Sequence, residues 1–347
     1  MESRPLVSIV TPFYNTRDFL GECIESVLRQ TYCNWEYVLV DNSSTDGSSE
    51  IASYYASLYP DRVRIIRPAS FLSQVDNYNF ALSSISPESM YCKMVQADDW
   101  IFPDCIRSMV EVAEAHPAVG IVGAYELAGE IVELSGLPFP SPEVSGRTAG
   151  RMYFLDEKYL FGTPTSLLMR SEVVRSRMPF YEKRYAPFED AHACFDLLKS
   201  WNFGFVHQVL TFSRRDNESI LARIRPFKFL LFSRFASLVA HGHDYLSHEE
   251  YDRCFRDAAH EYFLFLGKAV LRGESREFWD FHRNGLASIE YNFDGQRKWK
   301  WTLCALLDYI ANPKHTWQSY RRRRQGSTLS QEGVSPLASS DRSVSGT

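Results

Sequence analysis

Tyr91-Cys92-Lys93-Met94-Val95-Gln96-Ala97-Asp98-Asp99-Trp100 is an apolar run that ends on two adjacent carboxylates. Its first five residues read as a short buried strand bounded by turn signals. Two acids side by side at a strand end oppose each other's ionisation. A divalent cation removes that conflict, and hard oxygen ligands suit Mg²⁺ or Mn²⁺, which then carry phosphate oxygens. The alternative is that Asp98 and Asp99 cap a helix starting near Pro103, where acids favour the positive end of the dipole. An isolated pair would be read as a cap, so the rest of the chain has to decide.

Working outward, three more apolar runs precede this one. Val7-Ser8-Ile9-Val10 is ended by Thr11-Pro12, Tyr37-Val38-Leu39-Val40 by the loop Asp41 to Ser48, and Val63-Arg64-Ile65-Ile66 is the third. Between them lie helical patterns. From Thr16, a candidate N-cap, Phe19, Leu20, Cys23, Ile24, Val27 and Leu28 recur at three and four; Ile51, Tyr54, Tyr55 and Leu58 form a second stripe, and Val75, Tyr78, Asn79 and Leu82 a third. Strands alternating with helices predict right-handed βαβ units and a mostly parallel sheet, an α/β fold. Ligands of such sheets bind beyond the carboxyl ends of the strands. Thr11, Asp41, Asp98 and Asp99 all fall there, a convergence that capping alone does not explain. The G-x-G-x-x-G turn of a dinucleotide-binding fold is absent, which disfavours hydride transfer. Asp46 reads as shaping its loop with Gly47, and Asn77 either orients a carboxylate or caps local backbone.

Composition sets the outer bounds. At 347 residues, 45% hydrophobic and 23% charged, the chain has the make-up of a soluble globular protein of one or two domains. The net charge of −5 is uneven: residues 221–347 hold 19 Lys and Arg against 14 Asp and Glu, and the front of the chain is acidic. An acidic front argues against nucleic acid as a partner. Seven scattered cysteines with no C-x-x-C spacing fit a reducing compartment without disulfides or zinc. No secretory signal and no run of 18 apolar residues is read, so the expected location is the cytoplasm.

The assembled pieces resemble the family 2 glycosyltransferases with the GT-A fold. The resemblance rests on Val7-Ser8-Ile9-Val10-Thr11-Pro12-Phe13-Tyr14-Asn15, on Val40 to Ser48, on Gln96-Ala97-Asp98-Asp99, on Gly162-Thr163-Pro164-Thr165-Ser166-Leu167 and on Phe188-Glu189-Asp190. It covers about residues 5–220, and the set is specific although each piece alone is not. It implies a Rossmann-like, mostly parallel sheet flanked by helices, and an inverting transferase using a nucleoside-diphosphate sugar, most commonly a UDP-sugar. Thr11, Pro12, Tyr14, Asp41 and Asp98 would bind the nucleotide, Thr11 and Asp41 at the base and Asp98 on the ribose side. Asp99 would hold the Mg²⁺ or Mn²⁺ that bridges the diphosphate, and Asp190 would be the catalytic base. Such chemistry needs one carboxylate to deprotonate the acceptor hydroxyl and a metal to stabilise the departing diphosphate. Taken alone, Glu189-Asp190 would read as the cap of the following helix.

Two places depart from the family pattern. An acid often stands two residues after the Glu-Asp pair, where this chain has His192, to which no role is assigned. The frequent Tyr-Arg-x-His segment appears as Ser213-Arg214-Arg215-Asp216, leaving Asp216 as a candidate third metal ligand. Arg214 and Arg215 are candidate diphosphate contacts, one of them expected to pair with surface acids instead.

Beyond residue 220 the resemblance ends. Residues 221–324 read as a helical C-terminal subdomain following a transferase domain over 1–220, and residues 325–347 as a Ser/Gly-rich disordered tail. Residues 297–324 carry eight basic side chains against Asp308, with Trp299, Trp301 and an apolar side of Leu303, Leu306, Leu307 and Ile310. They read equally as a packed helix with a basic end or as a contact with an anionic membrane surface, which would make the protein peripheral on the inner face. The acceptor expected is a sugar or lipid-linked hydroxyl in bacterial surface polysaccharide or glycolipid assembly, a setting the resemblance implies. The rival is an inactive sugar-nucleotide-binding or scaffold protein, against which the intact Asp99 and Asp190 speak. A phosphoryl-transfer enzyme with an Asp nucleophile is more distant. The segment 124–165 is read as a loop that shapes donor and acceptor choice.

Overall fold

The structure is a computed structural model that describes residues 4–215, 227–291 and 295–311. Four apolar runs become the central parallel strands. These are β1, Val7–Phe13, β2, Trp35–Asp41, β3, Val63–Ile66, and β4, Tyr91–Met94. β1 pairs in parallel with β2 on one side and β4 on the other, and β3 extends β2. Val10 lies opposite both Val38 and Met94, and Phe13 opposite Asp41. Val95 N–H donates to the Val10 carbonyl and Asn42 N–H to the Phe13 carbonyl, 2.9 Å each. The register therefore delivers Tyr14, Asp41 and Asp98 to the same end of the sheet.

Helices α1, Arg17–Leu28, α2, Ser48–Leu58, and α3, Gln74–Ser83, connect these strands. α1 buries Leu20, Cys23, Ile24 and Val27 in one core with Val7, Ile9, Tyr37 and Leu39. Each such aliphatic side chain contributes about 1.5–3 kcal/mol relative to exposure. Thr16 holds the N-cap position, but its hydroxyl makes no capping bond and is buried without a partner. The loop before α2 does that work instead. Asp46 accepts from Arg17 N–H at 3.0 Å, Ser48 Oγ accepts from Thr16 N–H at 2.9 Å, and Gly47 supplies a φ of +101°. Asp46 is thus a loop-shaping residue, as its pairing with Gly47 suggests.

The second half of the sheet was hidden in the stretch read as a loop. Residues 124–165 include the end of β6, Val119–Ala128, together with β7, Ile131–Glu133, β8, Glu143–Val144, and helix α5, Gly146–Asp156. β5, Trp100–Ile101, and helix α4, Cys105–Ala115, precede them. β9, Leu167–Arg170, then runs antiparallel between β4 and β6. After α6, Ser171–Arg175, and α7, Glu189–Leu198, β10, Asn202–Ser213, pairs in parallel with β6. The sheet order is β3-β2-β1-β4-β9-β6-β10-β5, with β7 on β6 and β8 on β10.

Helices α8, Phe229–Tyr245, α9, His248–Arg272, α10, Arg276–Ser288, and α11, Gly295–Ala311, follow. By internal contacts the chain forms two compact units, one of Met1–Tyr262 with Ser275–Asn292, the other of Phe263–Glu274 with the chain from Phe293. In the second unit Lys268 pairs with Asp308 at 2.6 Å, and a Cβ on Gly267 would lie 2.2 Å from the Trp301 carbonyl, so glycine is what permits that approach. No described helix is long and apolar enough to cross a membrane. The arginine run 321–324 and the tail lie outside the described residues.

Candidate active site

Asp99 follows β4 in a tight turn, its N–H donating to the Gln96 carbonyl at 3.0 Å. The carboxylate is buried and held on both oxygens: Oδ2 accepts from the Thr165 hydroxyl at 2.7 Å and Oδ1 from Arg214 N–H at 3.1 Å. Burial first, and then the neighbouring Asp98, push its carboxyl well above the usual carboxylate range. Asp98 beside it is half-buried. Each carboxylate oxygen keeps a second lone pair, so these bonds do not close the pair to a cation. The fit to a hard divalent ion is that of two adjacent carboxylates whose mutual repulsion a cation would relieve. Among the described residues no group of three His, Cys, Asp or Glu side chains is arranged to hold a metal, so water or phosphate oxygens would complete the shell. Asp216, the candidate third ligand, lies outside the described residues.

Both arginines pair with acids at the surface. Arg214 is fixed against the acid turn: its Nε donates to the Asp98 carbonyl at 3.2 Å, and its guanidinium pairs with Glu22 at 2.6 Å and lies over Phe19 and Trp100. Arg215 pairs with Glu133 of β7.

The expected nucleotide contacts are placed unequally. Tyr14 is exposed and meets Phe71 edge to face at 4.9 Å, an open aromatic platform beside the strand ends. Pro12 is buried within β1. The Thr11 side chain is turned into the core, its hydroxyl 2.8 Å from both Tyr37 Oη and the Val95 carbonyl. Asp41 is buried, accepting from Ser44 N–H at 2.9 Å, from the Ser49 hydroxyl and from Arg67 Nε at 3.0 Å. Burial alone would raise its carboxyl; the donors Ser49, Ser44 and Arg67 bring it below the ordinary value.

Asp190 stands in the first turn of α7, whose N-cap residue Phe188 makes no side-chain capping bond. Burial, and then the charge of Glu189, push its carboxyl up to about 7. Glu189 is itself buried and raised by desolvation, and its Oε2 has no hydrogen-bond partner. A carboxyl poised near neutrality is what general-base chemistry needs. His192 is a packed structural residue: it stacks on Tyr185 at 3.8 Å, its Nδ1 is 2.8 Å from His241 Nε2, and burial lowers it to about 3.

One acid escaped the sequence reading. Glu126 lies buried in β6, and its charge is felt at both Asp99 and Asp190. The available signal was a single carboxylate inside an otherwise apolar strand.

Residues 8–177 match the model described as Glycosyl transferase family 2. Residues 8–177 are a family 2 glycosyltransferase domain. EpsE of Bacillus subtilis is 37% identical over 123 residues, 35% of this chain and 44% of EpsE, so the chain spans less than half of that relative. Among solved structures, S. aureus TarS 1-349 in complex with UDP-GlcNAc gives a TM-score of 0.58 at 14% identity, covering 82% of this chain and 80% of that one. The mannosyltransferase PcManGT of Pyrobaculum calidifontis, in complex with GDP-Man and Mn²⁺, gives 0.51 at 18% identity, covering 89% and 88%. At those identities the likeness is one of fold, and the fold is GT-A with helices appended at the C-terminal end.

Proposed function

We propose that the protein is an inverting, metal-dependent glycosyltransferase that moves a sugar from a nucleoside-diphosphate donor, UDP-linked by preference, to a hydroxyl acceptor. The observation that carries this reading is Asp190: a half-buried carboxyl in the first turn of α7, beside the buried Glu189 and raised to about 7. In the step proposed, Asp190 takes the proton of the acceptor hydroxyl as that oxygen bonds to the anomeric carbon. The bond from that carbon to the diphosphate breaks on the opposite face, and the nucleoside diphosphate leaves with the electron pair. Asp99 would hold the divalent ion, which supplies charge stabilisation to the leaving diphosphate when bound, and Asp98 would lie on the ribose side of the nucleotide. Tyr14 would stack on the base, and Asp41 would order the loop beneath it.

The domain assignment proposed with it is a transferase domain over 1–220 followed by a helical subdomain. The biological setting proposed is surface polysaccharide or glycolipid assembly, as the family resemblance implies. Peripheral attachment to an anionic bilayer is favoured by one observation. Along α11, Trp299 (76% exposed), Leu303, Leu306 and Leu307 form an exposed apolar face, while Thr302 and Ala305 are buried. The test of the activity is hydrolysis of nucleotide sugars with and without Mn²⁺. Metal-dependent release of UDP supports the reading; a chain that hydrolyses no nucleotide sugar, whether or not it binds one, is the inactive sugar-nucleotide-binding or scaffold alternative.

A further inference from the structure

Glu126 and Lys93 are buried charges that the proposed reaction does not use, and they grip the same short turn. Gly162 enters that turn at φ +66°, and Pro164–Ser166 form one turn of 3₁₀ helix. Glu126 Oε2 accepts from Thr163 N–H at 3.3 Å, from the Thr163 hydroxyl at 3.0 Å and from the Ser166 hydroxyl. On the other side Lys93, fully buried in β4, donates its ammonium to the Thr165 carbonyl at 2.6 Å and the Leu167 carbonyl at 3.2 Å. Between these anchors the Thr165 hydroxyl accepts from Gln96 N–H at 3.0 Å and donates to Asp99 at 2.7 Å. Burying a charge without a directly paired opposite charge is costly. Packing alone would hold a three-residue turn at lower cost with apolar side chains. Two such charges on one turn are instead suited to fixing the direction of a single hydroxyl.

We propose that Glu126 is a positioning residue of the transferase centre: by fixing Thr163 and Ser166 it sets the Thr165 hydroxyl against Asp99. The inference rests on the function proposed above and deepens it. Lys93 is the second anchor of the same device. Asp190 feels the charge of Glu189 first and of Glu126 last, and its Oδ1 accepts from Ala191 N–H at 2.7 Å; Tyr153, Tyr159, Tyr181 and Cys194 in turn feel the charge of Asp190. Neutralising Glu126 therefore removes one of two nearby carboxylate charges from the base without touching it.

The test uses the full chain with four variants, Glu126→Ala, Glu126→Gln, Thr165→Val and Thr165→Ser. The probes are UDP with MnCl₂ by calorimetry and the pH profile of kcat for UDP-GlcNAc hydrolysis. Glu126→Ala and Thr165→Val are expected to weaken UDP–Mn²⁺ binding by about tenfold or more, about 1.4 kcal/mol. Thr165→Ser, which keeps the hydroxyl, should bind within about threefold of wild type, or about 0.65 kcal/mol. Glu126→Gln retains an oxygen that accepts from Thr163 and Ser166, so it should bind like Thr165→Ser while the acid limb of kcat moves to lower pH. A merely structural role moves neither the affinity nor the limb. If Thr165→Val binds UDP–Mn²⁺ as wild type does and only its melting temperature falls, the positioning role is wrong. An acid limb unmoved in Glu126→Gln overturns the electrostatic effect on Asp190. A wild-type chain that binds no UDP–Mn²⁺ overturns the underlying function and this inference together, an outcome distinct from the other two.

Discussion

Asp190→Asn separates the chemical and the energetic consequences of one carboxyl. The amide is nearly isosteric, but it cannot take the acceptor's proton, and loss of a general base lowers the rate by about 10²–10⁴. Donor binding should be retained, because Asp190 is not among the groups that hold the nucleotide. Stability should move the other way. The carboxyl is raised from 3.8 to about 7, so the native state holds a proton that the unfolded chain has released between those values. Its stabilising contribution is fully present below pH 3.8 and is lost as pH rises through 7. The full shift corresponds to roughly 4 kcal/mol at about 1.36 kcal/mol per unit. Solvent reaching the half-buried side chain screens this, and about 2 kcal/mol is the expected size. Asparagine has no such dependence. The variant should match the wild type near pH 4 and become more stable as pH rises, reaching its full advantage above about pH 8.

Melting curves at pH 4, 6 and 8, paired with metal-dependent UDP-sugar turnover, read both effects from one preparation. Wild-type kcat should rise through an acid limb near pH 7. Nearly full kcat in Asp190→Asn would refute the base assignment and make Glu189, with its unpartnered buried oxygen, the next candidate. An advantage equal at pH 4 and pH 8 would refute the electrostatic account of the site, since a packing effect carries no pH dependence.

Three further outcomes are expected. Asp99→Asn should keep the fold, because the amide oxygen can still accept from Thr165 or Arg214, while UDP–Mn²⁺ affinity drops more than about tenfold; calorimetry showing unchanged affinity removes Asp99 from the metal site. Tyr14→Ala should weaken UDP binding by about 0.5–1.5 kcal/mol, the value of one aromatic stacking contact, with kcat little changed; a loss confined to kcat would place Tyr14 elsewhere in the reaction. The α11 face predicts co-sedimentation with anionic liposomes that weakens as salt rises, since each basic residue near such a surface is worth roughly 1 kcal/mol; replacing Trp299 and Leu303 with Ser should reduce it, and a wild type that ignores anionic vesicles at low salt removes the membrane reading.

The parallel half of the sheet was legible because strands buried on both faces are written as short apolar runs closed by turn residues. Val7–Phe13 and Trp35–Asp41 carry that signature, and their carboxyl ends announced Asp41 and Asp98–Asp99. The second half was not legible for the opposite reason. β5, β7 and β8 span two or three residues each, too short for a period to register, and β9 is inserted antiparallel between strands distant in sequence. Reading 124–165 as a loop followed from that.

The site shows the same division at the level of single groups. Residue types at strand ends disclosed which acids gather, but not which of their oxygens are already spent. Thr11 carries the family motif and nonetheless points its hydroxyl into the core at Tyr37, because position 11 faces inward when its neighbours pair with β2 and β4. Glu126 carries no motif, and its partners lie 37 and 40 residues onward, across a segment whose path the sequence did not reveal. Hydrogen bonds to a buried acid cannot be read from that acid's own neighbourhood in the chain. They depend on which distant turn the sheet order brings alongside it. In this molecule that order sets β9 between β4 and β6, so the Thr163–Ser166 turn entering β9 meets Lys93 of β4 from one side and Glu126 of β6 from the other. The same insertion that defeated the strand reading is therefore what brings the Thr165 hydroxyl to Asp99.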